Sequence, residues 1–261
     1  MKLSNKNKLS LNISKCATMT FTRKKNVLKY TYTVNEEELC HLTTVRDLGI
    51  NLDVGLTFKY HTNTVLAKAR RMAYFVVRNS VHFKRISTLK VLYFSFIRSI
   101  LEFGVLIWFP HTKKFVKELE KIQNRFLKYL YFKTFEYYPH DLSQKELLEG
   151  FEVELLVKRR EITALMFLYD LIHCNVRDSN LLAKINFWAP KIHSRQKKIF
   201  SLHNYNTSRM KVSPMNNIMG ISDAFLCRCA DADIYSMGRS AFKRVVGKAW
   251  EWERGCSRSC L

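Results

Sequence analysis

"KKFVKELEKIQNRFLKYL", residues Lys113 to Leu130, separates charge from oil on a helical period. At about 100° per residue, Lys113, Lys114, Lys117, Lys121, Arg125 and Lys128 share an arc roughly a third of a turn wide. Phe115, Val116, Leu119, Ile122, Phe126 and Leu130 occupy the opposite arc. One face of such a helix must be buried, so the chain around it builds a helical core. The other face carries like charges at i,i+4 spacing, which repel, and only Glu118 stands close by to relieve them. A face that merely meets water interleaves both signs. This one suits a polyanion.

Working outward, the helical period begins near His61. Val65, Ala69, Met72, Ala73 and Val76 form an apolar face, with Lys68, Arg70, Arg71 and Arg78 on the other side. A second helix is expected from a cap at Ser87 or Thr88 to about Trp108, ending before Pro110. Being apolar nearly all round, it reads as the central, buried helix. "LKVLYFSFIRSILEFGVLIWFP" (Leu89 to Pro110) has the length of a membrane span, but Lys90, Arg98 and Glu102 interrupt it, so no membrane span is expected. Beyond the turn at Tyr137 to Asp141, "SQKE" (Ser143 to Glu146) matches a capping box. It heads a short helix near Leu147 to Leu156, before a long one from Val157 to His173. Residues 186–217 read as a basic irregular segment, and residues 218–237 as a last helix or strand pair. Before His61 the pattern alternates instead, predicting strands at Ala17 to Thr22 and Lys29 to Val34 and a bend at Leu48-Gly49.

The chain of 261 residues is 47% apolar and carries a net charge of +22. It can build a core, and its positive charge calls for an anionic partner: nucleic acid first, an anionic membrane surface second. The excess lies in residues 1–134, with 25 Lys and Arg against 8 Asp and Glu. Seven scattered cysteines make no disulfide framework and suit a reducing intracellular compartment, cytoplasm or nucleus. The Cys227-x-Cys229 pair has no matching His or Cys pair at zinc spacing, so no metal site is expected. Neither a P-loop nor G-x-G-x-x-G is present. Tyr129, Tyr131, Phe132, Tyr137 and Tyr138 interleave with Lys128 and Lys133. They read as packing residues first and base-stacking residues second.

Several stretches, quoted in order, carry a further implication. They are "LSLNISKCATMTFTRKK" (Leu9 to Lys25), "VRDLGINLD" (Val45 to Asp53), "KARRM" (Lys68 to Met72), "LYFSFIRSILEFGVLIWFP" (Leu92 to Pro110) and "LEKIQNRFLKYL" (Leu119 to Leu130). "NTSRMKVSPMNNIM" (Asn206 to Met219) and "DIYSMGRSAFKRVV" (Asp233 to Val246) complete the series. Together they resemble the region after the polymerase palm in reverse transcriptases of non-long-terminal-repeat, LINE-type retrotransposons, the jockey-like group in particular.

The resemblance implies a mainly α protein with a small N-terminal β remnant: a helical thumb-like bundle followed by a C-terminal helical and irregular region. Residues 1–58 would be palm edge, 59–134 the basic thumb-like domain and 135–246 the C-terminal region, with 247–261 an unmatched tail. It places Lys15 at the motif-D general acid, Leu48 and Gly49 at the primer grip, and the cations on the helices between His61 and Leu130 along the template–primer backbone. The partner it implies is RNA or an RNA/DNA duplex, held by phosphate contacts. In that family an Asp-Asp box upstream of the "LSLN" stretch holds two Mg²⁺ ions for RNA-directed DNA polymerisation. No adjacent Asp-Asp occurs here, and Ala230 to Asp233 ("ADAD") only looks like one. The expectation is therefore a truncated polymerase, its fingers and most of its palm absent before Leu9. It would hold no cofactor, be catalytically inactive alone and retain non-specific nucleic-acid binding. The alternatives are a basic interaction or membrane-surface protein, or a translated relic without function.

Overall fold

A computed structural model describes residues 12–22, 26, 30–138, 141–189, 198–202, 213–229 and 231–256. The protein is mainly α, 58% helix against 9% strand, with its few small sheets near the N-terminus, as expected. The chain divides into two compact units, residues 1–64 and 65–261.

Among its described residues the first unit holds three two-stranded sheets. β1 (Ala17–Thr18) pairs in parallel with β4 (Cys40–His41), and β2 (Thr33–Val34) pairs antiparallel with β3 (Glu37–Glu38). The longest ladder joins β5 (Thr44–Asp47) to β6 (Ile50–Asp53), Asp47 opposite Ile50. Leu48 and Gly49 form the two-residue loop between them, at φ 44° and 87°. Two successive positive φ values match the right-handed strand twist of a tight hairpin, and Gly49 adopts its value without strain. The expected six-residue strands at 17–22 and 29–34 shrink to Ala17–Thr18 and Thr33–Val34. Alternation supplies β-propensity, but a strand extends only as far as its neighbour pairs with it.

Asp53 organises the exit from β6. Its carboxylate accepts from the Thr57 amide at 2.7 Å and the Phe58 amide at 3.1 Å, and from the Thr57 hydroxyl at 2.8 Å. Among the described residues of this unit only Ile50, His61 and Thr62 are buried, so its core is thin. The His61 Nδ1 accepts from the Asn51 amide at 3.2 Å, which requires that nitrogen to be unprotonated. Burial, with Arg46 adding repulsion, holds the imidazole below its ordinary value. The unfolded chain therefore takes up the proton first, near pH 6.5, and stability present above that pH is lost as pH falls below it. Hydrogen exchange, corrected for its intrinsic rate, should show the Asn51 amide and its neighbours losing protection between neutral and mildly acidic pH. His61→Gln should remove that pH dependence.

In the second unit the helices are α1 (Lys59–Asn79, counted here from Val65), α2 (residues 86–102), α3 (Val105–Trp108) and α4 (Lys113–Phe135). After them come α5 (Gln144–Gly150), α6 (Leu156–Ile172), α7 (Ser179–Leu182), α8 (Pro214–Arg228) and α9 (Arg239–Cys256). The Ser143–Glu146 capping box is formed in both directions. Thr112 caps α4 by accepting from the Phe115 amide. The region left open as helix or strand pair, 218–237, is helical to Arg228 and turns thereafter. Most of the basic irregular segment, and the end of the tail, lie outside the described residues.

The single helix expected from Ser87 or Thr88 to Trp108 is two. It starts at Ile86, with Arg85 at the cap making no side-chain bond, so neither Ser87 nor Thr88 caps it. It breaks at Gly104, left-handed at φ 61°, a conformation open to glycine without a steric penalty. The Trp108 indole N–H fixes the break by donating to the Phe103 carbonyl at 2.8 Å.

Nor is it buried all round. Leu89, Tyr93, Ile97, Leu101, Val105 and Trp108 are buried, while Val91, Phe96, Phe103 and Ile107 are about half exposed. Leu89, Tyr93, Ile97 and Leu101 recur at four-residue steps, which drift about 40° per step on an α-helix. A π-helical turn at Tyr93–Arg98 underwinds the chain and holds the stripe against the core.

α6, α8 and α9 close the C-terminal core around Leu165, Leu168, Ile218, Met219, Phe242 and Val246. Tyr169 stacks on Phe242 and donates to the Met237 carbonyl at 2.7 Å. Arg239 grips Asp170 through two nitrogens, at 2.7 and 2.8 Å. Buried Asp223 accepts the Ile199 amide at 2.7 Å, tying the 198–202 segment to α8.

Candidate nucleic-acid interface

α1 and the turn that follows it at Ser80 and Val81 are bridged to α4 at four levels. Arg70 meets Glu118 at 2.5 Å, Arg125 donates to the Tyr74 hydroxyl at 2.6 Å, and the Ser80 and Tyr129 hydroxyls lie 3.0 Å apart. Lys133 Nζ donates to the Val81 carbonyl at 2.6 Å. The partners advance together along both helices, so the helices run roughly parallel.

Between them lies a groove of about 450 Å³. Ala73, Val77, Ile122, Phe126 and Tyr129 form its apolar floor, and Arg70, Lys121, Arg125 and Lys128 its cationic walls, with Tyr74 and Tyr138 also lining it. Glu118 is the one carboxylate among the lining residues. It also accepts from Lys121 at 2.7 Å. That bond, with the charges of Arg70 and Lys114, holds its carboxyl below the usual carboxylate range. The groove is thus cationic overall, with Arg70 and Lys121 neutralising its acidic point.

The arc predicted on α4 is present: Lys113, Lys114, Lys117, Lys121 and Arg125 are exposed and Lys128 is half-buried, opposite buried Leu119, Ile122, Phe126 and Leu130. Lys113, Lys114 and Lys117 continue the arc beyond the groove. On α1 the four cations part company. Arg70 turns into the groove, whereas Lys68, Arg71 and Arg78 are exposed outside its lining. Lys15 is exposed in a 3₁₀ turn (Ile13–Lys15), and Leu48 is 87% exposed at the β5–β6 hairpin tip beside Gly49. These three belong to the first unit.

Tyr74 was not singled out by sequence. The available signal was its place one turn after Arg70 on the polar side of α1, where an aromatic has no core to join. It is 56% exposed. The aromatic run at the end of α4 and just beyond it mostly packs upon itself: Tyr129 is buried, the Tyr131 and Tyr137 hydroxyls share a hydrogen bond, and Phe132 stacks on Tyr138 at 4.7 Å. Tyr138 nevertheless keeps 51% of its surface.

Of the acidic look-alike, Asp231 is exposed, and Asp233 spends its carboxylate on the Tyr235 amide and the Ser236 hydroxyl. Among the described residues no three His, Cys, Asp or Glu come together to hold a metal ion. No described helix is long and apolar enough to cross a membrane. No protein-family model, curated protein or solved structure matches this chain.

Proposed function

We propose that this chain is the nucleic-acid-holding, thumb-like and downstream part of a reverse transcriptase of the non-long-terminal-repeat retrotransposon type. It grips RNA or an RNA/DNA duplex through phosphate contacts and transfers no nucleotide by itself. One observation carries this reading: the cationic walls of the α1–α4 groove continue into the exposed lysine arc of α4, with a single carboxylate among the groove's lining residues. Lys15 and the Leu48-Gly49 turn keep the motif-D and primer-grip roles that the resemblance gives them. With no adjacent Asp-Asp, the chain lacks the paired carboxylates that clamp the attacking and leaving oxygens.

Binding of a labelled RNA/DNA duplex, followed by fluorescence anisotropy, tests this. The log–log dependence of affinity on salt should have a slope of roughly −4 to −6, the release expected for four to seven phosphate contacts. No binding at low salt, or a slope near zero, refutes the reading. Extension of a primed RNA template with Mg²⁺ and deoxynucleotides would refute the absence of catalysis.

A second reading, an interaction or membrane-surface protein, draws on half-exposed Val91, Phe96, Phe103 and Ile107. Binding to anionic vesicles without binding to nucleic acid would favour it.

A further inference from the structure

We infer that the α1–α4 groove seats an unpaired nucleotide of a single strand, its base against the apolar floor and its phosphate on the cationic walls. This rests on the nucleic-acid reading above and goes further, because a backbone-gripping surface needs only cations. Here the cations enclose an apolar floor of Ala73, Val77, Ile122 and Phe126. A duplex shows sugar and phosphate on its outside and keeps its base faces stacked within, so it would touch the walls and leave that floor against water. A flat base carrying a phosphate satisfies both at once, and about 450 Å³ falls in the size range of a drug-sized ligand site.

The half-exposed rings of Tyr74 and Tyr138 add stacking surface that accepts any base. Tyr138 is already backed by Phe132, with their planes 14° apart, so its ring is held in place for a further stacking partner. Glu118 sets the direction. Arg70 and Lys121 already pair with Glu118, so the phosphate lies toward Arg125 and Lys128, and the base edge lies toward the carboxylate's remaining lone pairs. Entry of the phosphate exchanges the Arg125 bond to the neutral Tyr74 hydroxyl for one to an anionic oxygen.

The test uses the whole chain with a single-stranded oligonucleotide carrying aminopurine, and with the blunt duplex of the same sequence. The single strand should bind more tightly, with its aminopurine fluorescence quenched. Tyr74→Ala and Tyr138→Ala should each weaken the single strand about fivefold or more and change the duplex less than about twofold. Tyr74→Phe and Tyr138→Phe, which keep the rings, should bind as the parent does. Lys121→Gln with Arg125→Gln should weaken both ligands.

If the glutamine pair weakens both ligands while the alanine variants change neither, or change both alike, this inference fails and the nucleic-acid reading stands. If neither ligand binds the parent chain, both fail. Competition by polyglutamate or anionic vesicles as strong as that by unlabelled single strand also overturns it. Circular dichroism of each variant separates lost binding from lost fold.

Discussion

Lys121→Glu combined with Arg125→Glu lowers affinity for an RNA/DNA duplex by roughly a hundredfold or more at moderate salt. Both side chains are exposed on the groove wall, Lys121 one turn from Glu118 and Arg125 one turn beyond Lys121. Reversal removes two phosphate contacts and sets three carboxylates where the strand should lie. The Lys121–Glu118 bond goes too, which leaves Arg70 as the remaining ion-pair partner of Glu118. Fold stability should fall only modestly, through loss of the exposed Lys121–Glu118 and Arg125–Tyr74 contacts. Lys243→Glu with Arg244→Glu on α9 makes the same change in net charge at exposed positions outside the groove. That pair should cost only a few-fold in affinity. Equal losses from the two pairs would mean that overall charge, rather than the groove, does the binding.

Glu120→Leu destabilises the helical unit by about 3 kcal/mol or more, while Glu120→Leu with Arg160→Met recovers most of that loss, short of the acceptor that the Val157 amide loses. Both groups are buried: Arg160 on α6 is 1% exposed and Glu120 on α4 is 9% exposed. Glu120 accepts the Val157 amide at 2.9 Å through one oxygen. Its other oxygen and all three Arg160 nitrogens have no hydrogen-bond partner among the described residues. Burial raises the Glu120 carboxyl above its usual range and lowers the Arg160 guanidinium, and each charge offsets part of the other's cost. Removing Glu120 takes away the largest of the charges that offset the burial of Arg160, ahead of Glu102 and Glu161. Replacing Glu120 and Arg160 together with apolar groups of similar size leaves neither charge buried. Thermal unfolding of the two single variants and the double variant completes the cycle. A double variant as unstable as Glu120→Leu alone would show that the pair does not account for the loss.

Residues 113–130 disclosed their helix, its buried face and its basic arc, because one period dictates all three. The capping box at Ser143 was equally plain, since its chemistry lies within four residues. The break at Gly104 was harder to see. A glycine inside an apolar run reads as a tolerated defect until Trp108 is found bonded to the Phe103 carbonyl, a contact that periodicity does not encode. The π turn at Tyr93–Arg98 is similar: a run apolar nearly all round hides both the buried stripe and the underwinding that holds it against the core.

The groove itself was the least legible. It exists because α1 lies along α4 and brings Arg70 to Glu118 and Tyr74 to Arg125, residues about fifty positions apart. Each helix alone offered a charged face. Only their pairing turns Arg70 inward, leaves Arg71 and Arg78 outside and gives Tyr74 a role.

Photo-cross-linking of the whole chain to a thiouridine-substituted RNA, annealed to DNA over part of its length, locates the strand directly. Peptide mapping should place the cross-links on α1 between Arg70 and Val77 and on α4 between Lys114 and Lys128, with Tyr138 among them. They should disappear with Lys121→Glu and Arg125→Glu. Cross-links concentrated elsewhere on the chain, and unchanged by that double substitution, would contradict the account.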